Sequence, residues 1–289
     1  MPMKRLVLQH PGLRPASVNA FEQLLGVAPT DVGPRLAQWS LGQIDETAVR
    51  DLARREAIDW AVLDRPRRLA DFGLMAFDMD STVINIECID EIADFAGRKA
   101  EVSAITAATM RGEIRGFEES LRQRVALLAG LPVQVLEQVY AERLQPNPGA
   151  EVLMAAARRA GVRLLLVSGG FTFFTERLRE RLGFDWAHGN VLDIQDGRLT
   201  GKVGTRVIDA QAKLDILRRH ADGLGLAPDA TIAVGDGAND LLMMGHAGLS
   251  IAYHAKPVVQ ASTSHALNHA GLDGILGLFD DTRERLLAT

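Results

Sequence analysis

Three apolar segments, each ending in small or acidic residues, constrain the fold of this chain more than any other feature. They are "LMAFD" (74–78), "VRLLLVSGG" (162–170) and "ATIAVGDG" (230–237), and a segment with helical periodicity follows each one. Continuous apolar strands that alternate with helices are typical of a parallel sheet covered on both faces. The sequence therefore predicts an α/β fold with a Rossmann-like parallel sheet, in which "LSIAYH" (249–254) is a fourth strand.

The connection between the first two strands is too long for a simple crossover, because Asp78 and Ser168 lie about ninety positions apart. The surplus, roughly residues 84–146, has a helical pattern. We interpret it as a helical cap beside the carboxyl ends of the strands, where ligands of such sheets bind. The segment "VLDIQDGRLTGKV" (191–203) alternates around Asp196 and Gly197 and predicts a hairpin at an edge of the sheet.

The first 68 residues predict a small N-terminal α+β domain. Its pattern reads as the strand "KRLVLQH", the helix "ASVNAFEQLLG", the strand "PRLAQWSL" and one longer helix, "ETAVRDLARREAIDWAVLD". The polar segment "DRPRRLADFG" (64–73) predicts a linker. Residues 69–289 then form the core domain that contains the cap.

Composition excludes several classes of partner. The net charge is −5 and 47% of residues are hydrophobic, which leaves no basic stripe for nucleic acid and no polybasic surface for a membrane. Cys88 is the only cysteine, so no internal disulfide is possible, and no apolar run reaches the length of a membrane span or a signal peptide. We expect a cytoplasmic protein with a small-molecule substrate; a homodimer remains open.

The segment "DMDST" places Asp78 and Asp80 directly after an apolar strand. One aspartate there could be a simple helix cap. Two within reach of one point are stable only if a cation neutralises them or if one carboxyl keeps its proton. Both conditions suit phosphoryl transfer, in which one carboxylate attacks phosphorus while the other protonates the leaving oxygen and later activates water.

The ends of the other strands carry further polar groups. "GDGAND" supplies Asp236, Asn239 and Asp240, although alone it could be a glycine-rich turn. Ser168 and Gly169 end a strand and open a helix, which forms either an anion site or a capped turn.

Acids that converge here would repel a phosphate unless Mg²⁺ and a basic side chain were present. Lys213 is the candidate for this positively charged side chain, which would stabilise the charge of the transferring group. The alternative is a surface lysine on an amphipathic helix. In the cap, Arg124 lies on the apolar stripe of "FEESLRQRVALL", in line with Phe117. A charged side chain on an apolar stripe costs free energy unless an anion binds it. Such an arginine therefore indicates an anionic partner, and the alternative is a side chain that extends to solvent. Glu87 alone could be an exposed helix acid. Together with Arg124, however, its opposite charge matches the two charges of a zwitterionic substrate.

These motifs together resemble a known family. "DMDST", "LLLVSGG", "AQAKLDIL" and "VGDGANDLLMM" are similar, in this order, to the four motifs of the haloacid dehalogenase-like phosphatases. Within that superfamily, "FDMDSTVINIECIDEIA", "FEESLRQRVALLAGLP" and "VSGGFTFF" resemble the phosphoserine phosphatases. The resemblance covers roughly residues 74–278.

The resemblance implies a role for each position. Asp78 would be the nucleophile and Asp80 the general acid and base. The Asp78 side chain, the Asp80 carbonyl and Asp236 would bind Mg²⁺, while Asp240 would hold the waters of the metal. Lys213 would contact the phosphate and Asp78.

The same resemblance assigns the substrate contacts. Arg124 would bind the substrate carboxylate and Glu87 its ammonium group, and Phe117 with Met110 would close the pocket. Phosphate contacts fall to three further residues: Ser168, Gly169 and Asn239. The implied reaction hydrolyses O-phospho-L-serine to serine and phosphate through an aspartyl-phosphate, the last step of serine biosynthesis.

Two alternatives remain open at this point. One is a phosphatase or phosphotransferase of the superfamily that acts on another small phosphorylated amino acid or metabolite. The other is a binding or regulatory protein that keeps the fold, against which the five intact polar motif residues argue. The N-terminal unit loosely resembles a shortened ACT-like amino-acid-binding domain, and a packing or dimerisation role suits it equally well.

Overall fold

The computed structural model describes residues 3–65, 67–111, 113–282 and 284. Its strands and helices, in chain order, are β1 (Lys4–Gln9), α1 (Pro15–Leu25), β2 (Asp31–Val32), β3 (Leu36–Leu41), α2 (Glu46–Glu56), β4 (Asp59–Leu63), β5 (Leu74–Phe77), α3 (Cys88–Phe95), α4 (Lys99–Met110), α5 (Gly116–Ala126), α6 (Gln134–Glu142), α7 (Ala150–Arg159), β6 (Arg163–Phe171), α8 (Thr172–Leu182), β7 (Trp186–Asn190), β8 (Leu192–Gln195), β9 (Arg198–Val203), α9 (Ala210–Gly223), β10 (Thr231–Gly235), α10 (Leu241–His246), β11 (Leu249–Tyr253), α11 (Pro257–Gln260) and β12 (His265–Leu267). No helix in these described ranges has both the length and the apolar character needed to cross a membrane.

A six-stranded parallel sheet forms the centre of the larger unit, in the order β12-β11-β10-β5-β6-β7. Both faces are covered: Leu74 and Ala76 pack with residues of α9 and α10, while Met75 and Phe77 join the larger core on the opposite side. The α/β prediction with a Rossmann-like parallel sheet is therefore confirmed. The pattern did not predict β7 and β12, because "WAHGN" and "HAL" are short and only partly apolar.

Helices α3 to α6 form a separate layer above the carboxyl ends of the strands. The chain enters and leaves this layer through two neighbouring extended segments, joined by a bridge between Ile84 and Pro146. The amide of Asn85 donates to the carbonyl of Gln145 at 3.0 Å, and that of Asn147 donates to the carbonyl of Val83 at 2.8 Å. These bonds fix the base of the cap; its boundaries at 84 and 146 remain a prediction.

The predicted hairpin is confirmed, but its predicted position is wrong. Strands β8 and β9 turn at Asp196 and Gly197, both with positive φ (51° and 73°), as a two-residue turn requires. They form a sheet of their own rather than extending the central one. The hairpin lies against the cap, where the amide of Gly130 donates to the carbonyl of Leu199 at 2.8 Å. Alternation predicts two strands, but it does not specify the surface that they cover.

The N-terminal unit is a four-stranded antiparallel sheet, in the order β2-β3-β1-β4, with α1 and α2 on one face. The single long helix predicted over residues 46–64 is wrong. Helix α2 ends at Glu56, Ala57 adopts a left-handed conformation, and β4 pairs with β1. Pairing with β1 buries the alternating residues of this segment better than a continued helix would, so tertiary contacts override the local pattern. The boundary at residue 68 remains a prediction.

The predicted linker is packed against its surroundings instead of crossing open solvent. Leu69 and Phe72 are buried within it. The N-terminal sheet rests on the C-terminal part of the chain through Asp59, a buried residue whose carboxylate accepts three backbone N–H bonds. These come from Asn268, His269 and Ala270 at 2.6, 2.9 and 2.7 Å. The two units are therefore hydrogen-bonded to each other as well as connected by the chain.

We expect Asp59→Ala to lower the free energy of unfolding by about 3 kcal/mol, because three backbone N–H groups would lose their acceptor. Urea denaturation followed by circular dichroism measures the change. Asp64→Ala is the matched control: this side chain is 73% exposed and pairs with Lys4, so its loss should change stability by less than about 0.5 kcal/mol. Equal effects of the two substitutions would contradict the role given to Asp59.

Candidate active site

A buried lysine holds two carboxylates together at the carboxyl end of the central sheet. Asp78 follows β5 directly, and its amide donates to the carbonyl of Val234 on β10 at 3.0 Å. Lys213 lies in the first turn of α9, is fully buried, and donates to Asp78 Oδ1 at 2.6 Å and to Asp240 Oδ1 at 2.7 Å. It is therefore not a surface lysine. Burial alone would lower the pKa of Lys213, but Asp240 and Asp78 raise it above its usual value and keep the side chain charged.

The loop after β10 positions Asp240 and brings a third carboxylate, Asp236, to this point. The amide of Gly237 donates to Asp240 Oδ2 at 3.0 Å, which fixes the orientation of Asp240. A side chain at Gly235 would place its Cβ 2.5 Å from that same oxygen, so the turn leaves room only for glycine. Asp236 accepts a bond from Thr82 Oγ1 at 2.9 Å. We had assigned no role to Thr82, although it is the last position of the aspartate motif.

One oxygen each of Asp78, Asp236 and Asp240 lies within 4.8 Å of the others. Burial and the charge of Asp240 raise the pKa of Asp78 well above its usual value, against the opposing effect of Lys213, and the same two causes raise the pKa of Asp236 to about 6. The three acids face one lysine, so two negative charges remain uncompensated when all three are ionised. An all-oxygen donor set with this charge fits a hard divalent cation.

Asp80 lies at the mouth of this cluster in a different environment. Its Oδ1 accepts a bond from the amide of Cys88 at 3.4 Å. Burial and the neighbouring charge of Glu87 raise the pKa of Asp80 to about 8. The carboxyl group of Asp80 therefore keeps its proton near neutral pH and can donate it, whereas at Asp78 the charge and hydrogen bond of Lys213 oppose the raised pKa.

The segment 168–170 forms another wall of the site. Ser168 is buried, and its hydroxyl accepts a bond from the amide of Gly170 at 2.8 Å. Asn190, which our sequence interpretation did not include, donates from Nδ2 to the carbonyl of Gly169 at 2.8 Å and holds this turn in place. No local pattern identifies Asn190, because its role depends on the neighbouring strand.

One cavity connects the acid cluster to the cap. Residues of both parts line it: Asp78, Asp80, Glu87, Ile89, Leu121, Arg124, Ser168, Gly169, Gly170, Phe171, Asp236 and Asn239. The cap lies close to the core, since a Cβ at Gly169 would be 2.7 Å from Cζ of Phe117. The apolar lining residues Ile89, Leu121 and Phe171 had not been predicted. The side chain of Met110 lies outside the part of the chain that the structure describes.

The cap presents a guanidinium that has no carboxylate partner in the part of the chain that the structure describes. Arg124 is partly buried and donates from Nε to the carbonyl of Ser120 at 3.3 Å. Among the described residues, no carboxylate oxygen lies within 4.0 Å of its nitrogens. Burial lowers the pKa of Arg124, while Asp90 and Glu87 act in the opposite direction; the guanidinium nevertheless stays charged. The cavity thus offers a cation and the carboxylate of Glu87 on its cap side.

The structure brings nine predicted positions to this cavity and two just behind it. Lining residues from the prediction are Asp78, Asp80, Glu87, Arg124, Ser168, Gly169, Asp236 and Asn239, with the ring of Phe117 against Gly169. Lys213 and Asp240 lie behind Asp78 in the protein interior. The roles assigned to these residues are developed below as proposals.

Comparison with known proteins gives consistent matches. The family model of haloacid dehalogenase-like hydrolases matches residues 75–245. A phosphoserine phosphatase from Polaromonas is 56% identical over 215 residues, which cover 73% of this chain and 91% of that protein.

Solved structures that resemble this chain indicate the same family. The crystal structure of a probable phosphoserine phosphatase from Vibrio cholerae, in unliganded form, is 38% identical with a TM-score of 0.83 and covers 98% of this chain and 88% of the other. A substrate-bound phosphoserine phosphatase complex is 40% identical with a TM-score of 0.68, covering 72% of this chain and 99% of the other. The chain therefore belongs to the haloacid dehalogenase-like hydrolases and, within them, to the phosphoserine phosphatase family.

Proposed function

We propose that this protein hydrolyses O-phospho-L-serine to L-serine and phosphate, with Asp78 as the nucleophile. The observation that carries this proposal is the pairing, in one cavity, of an acid cluster suited to phosphoryl transfer with a cap-side Arg124 and Glu87. Arg124 would bind the carboxylate of the substrate, and Glu87 its ammonium group. A sugar phosphate would leave both charges without a partner, which is costly in a partly buried site.

In the first step, an oxygen of Asp78 attacks phosphorus, and the bond between phosphorus and the seryl oxygen breaks. Asp80 gives its proton to that oxygen, which matches its raised pKa. In the second step, Asp80 takes a proton from a water molecule whose oxygen attacks phosphorus, and the bond between phosphorus and the Asp78 oxygen breaks. Phosphate then leaves, and both carboxyl groups return to their starting states.

Other residues of the chain stabilise charge and exclude water. Lys213 holds Asp78 in place and is close enough to offset negative charge on the transferring group. Ser168, Gly169 and Asn239 line the same cavity and would donate to the phosphate oxygens. Phe117 lies over Gly169, where it would shield the phosphorylated aspartate from bulk water.

The acid cluster fits Mg²⁺, the ion that we propose as the cofactor. The side chains of Asp78 and Asp236 and the carbonyl of Asp80 would hold it, and Asp240 would orient its waters. A bound Mg²⁺ would offset the negative charge that the acids and the phosphate share. Location in the cytoplasm remains a prediction from the sequence.

We expect Asp78→Asn to reduce turnover of O-phospho-L-serine by at least about 10³-fold, because the amide is a poor nucleophile. Phosphate release measures turnover, and circular dichroism checks that the fold is kept. The control Asp193→Asn changes an exposed aspartate of the hairpin and should leave turnover unchanged. Substantial activity in Asp78→Asn would refute the assignment of the nucleophile.

We expect Arg124→Ala to raise KM for O-phospho-L-serine about 100-fold, since a charge-assisted bond contributes about 2–3 kcal/mol. KM for p-nitrophenyl phosphate, which has no carboxylate, should change much less. Arg122→Ala is the control: Arg122 lies on the same helix but pairs with Glu118 and the carbonyl of Val203. Equal effects of Arg124→Ala on the two substrates would remove Arg124 from carboxylate recognition.

Chelation by EDTA should abolish turnover, and added Mg²⁺ should restore it. A readout independent of activity is the melting temperature, which Mg²⁺ should raise because an ion that binds only the folded state stabilises it. Asp236→Asn should weaken this thermal shift, whereas Asp185→Asn, at the opposite end of the sheet beside Arg163, should retain it. A melting temperature insensitive to Mg²⁺ would contradict the metal site.

A further inference from the structure

Two neighbouring residues of the loop after β5 are hydrogen-bonded to the segment that opens the cap. Ser81 Oγ donates to Glu87 Oε1 at 2.8 Å, and the Ser81 amide donates to the carbonyl of Ile86 at 3.2 Å. In the opposite direction, the amide of Cys88 donates to Asp80 Oδ1 at 3.4 Å. We call these three hydrogen bonds, among Asp80, Ser81, Ile86, Glu87 and Cys88, the loop–cap clamp.

Ser81 takes part in this clamp through an unusual backbone conformation. Its φ of 57° and ψ of −2° lie in the left-handed region, which costs a serine about 1 kcal/mol or more. This conformation turns both its amide and its hydroxyl toward residues 86–87. A strained conformation persists only where the surroundings fix it, and such residues are concentrated at functional sites.

The two ends of the clamp serve different parts of the proposed reaction. Glu87 faces the ammonium group of the substrate, and Asp80 supplies the proton for its leaving oxygen. The second oxygen of Asp80 is also confined, since a Cβ at Gly170 would lie 2.9 Å from Oδ2. Asp80 is therefore held between the core and the first turn of α3, and its position depends on where that turn lies.

Resting on the proposed function, we propose that Ser81 is a positioning residue that connects recognition of the substrate ammonium group to placement of the Asp80 carboxyl group. An ammonium group bound to Glu87 fixes the first turn of α3. Through Ser81 and Cys88, that turn holds Asp80 at the leaving oxygen. The amino group of the substrate then contributes to the rate of the chemical step as well as to binding.

The test is a double-mutant cycle in which one change removes the hydroxyl of Ser81 and the other removes the amino group of the substrate. The cycle measures whether the effects of the two changes on kcat are coupled. The substrates are O-phospho-L-serine and 3-phosphonooxypropanoate, which keeps the primary alkoxide oxygen and the carboxylate but has no amino group. The variants are Ser81→Ala and Ser81→Gly; glycine accepts the left-handed backbone, so it removes the hydroxyl without strain. Both variants should lower kcat for O-phospho-L-serine about tenfold, with a much smaller effect on kcat for the analogue.

Three results would overturn the proposal. Equal losses on both substrates would mean that Ser81 and the amino group are not coupled. An effect on KM alone would mean that Ser81 orients Glu87 without reaching Asp80. An impaired Ser81→Ala beside a fully active Ser81→Gly would assign the effect to the backbone and not to the hydroxyl.

Ser120→Ala is the matched control, because it removes a buried hydroxyl in the cap that accepts a bond from Thr109 at 2.7 Å. It should keep the wild-type ratio of kcat between the two substrates. The proposed function has its own readout in the same experiment: a wild-type protein that does not hydrolyse O-phospho-L-serine would refute the function itself. A wild-type protein that hydrolyses it, with Ser81 variants of unchanged kcat ratio, would refute only the coupling.

Discussion

The site depends on one buried cation between two carboxylates. Lys213 has no exposed surface and bonds to both Asp78 and Asp240. Removing one partner of a buried ion pair typically destabilises a protein by about 3–5 kcal/mol, so these three side chains form a unit in which no member is replaceable alone. Because Lys213 comes from α9, Asp78 directly follows β5 and Asp240 lies in the loop after β10, this contact also fixes the position of these elements around the site.

The remaining charge of this unit explains the chemistry next to it. One lysine cannot balance three converging acids, and burial together with the charge of Asp240 raises the pKa of Asp236 to about 6. A divalent cation would balance the two remaining negative charges, and it would thereby let a phosphate group approach the acids. Asp80 lies beside the cluster, where burial and the charge of Glu87 raise its pKa to about 8, so it keeps its proton near neutral pH. Two carboxylates two residues apart can therefore take opposite roles.

In the proposed reaction, the cap would add selectivity to a core that is chemically general. Its entry and exit are paired by the bridge between Ile84 and Pro146, next to the carboxyl end of β5. This brings Glu87 and Arg124 over the acid cluster and the ring of Phe117 onto Gly169. In the proposed reaction, selection for a zwitterion would thus depend on residues far from Asp78 and Asp80 in the sequence.

The sequence by itself determined the parallel sheet and the acidic strand ends, because apolar segments and the polar residues that directly follow them are local properties of the chain. It also predicted the cap, from the length of one connection. The structure alone decided that residues 59–63 form a strand, that the 192–203 hairpin packs on the cap, and that Thr82 and Asn190 support the site. Each of these depends on a partner distant in the sequence, as β4 depends on β1 and Asn190 on Gly169. Local pattern specifies what a segment can form, and long-range hydrogen bonding and burial select which of those forms is adopted.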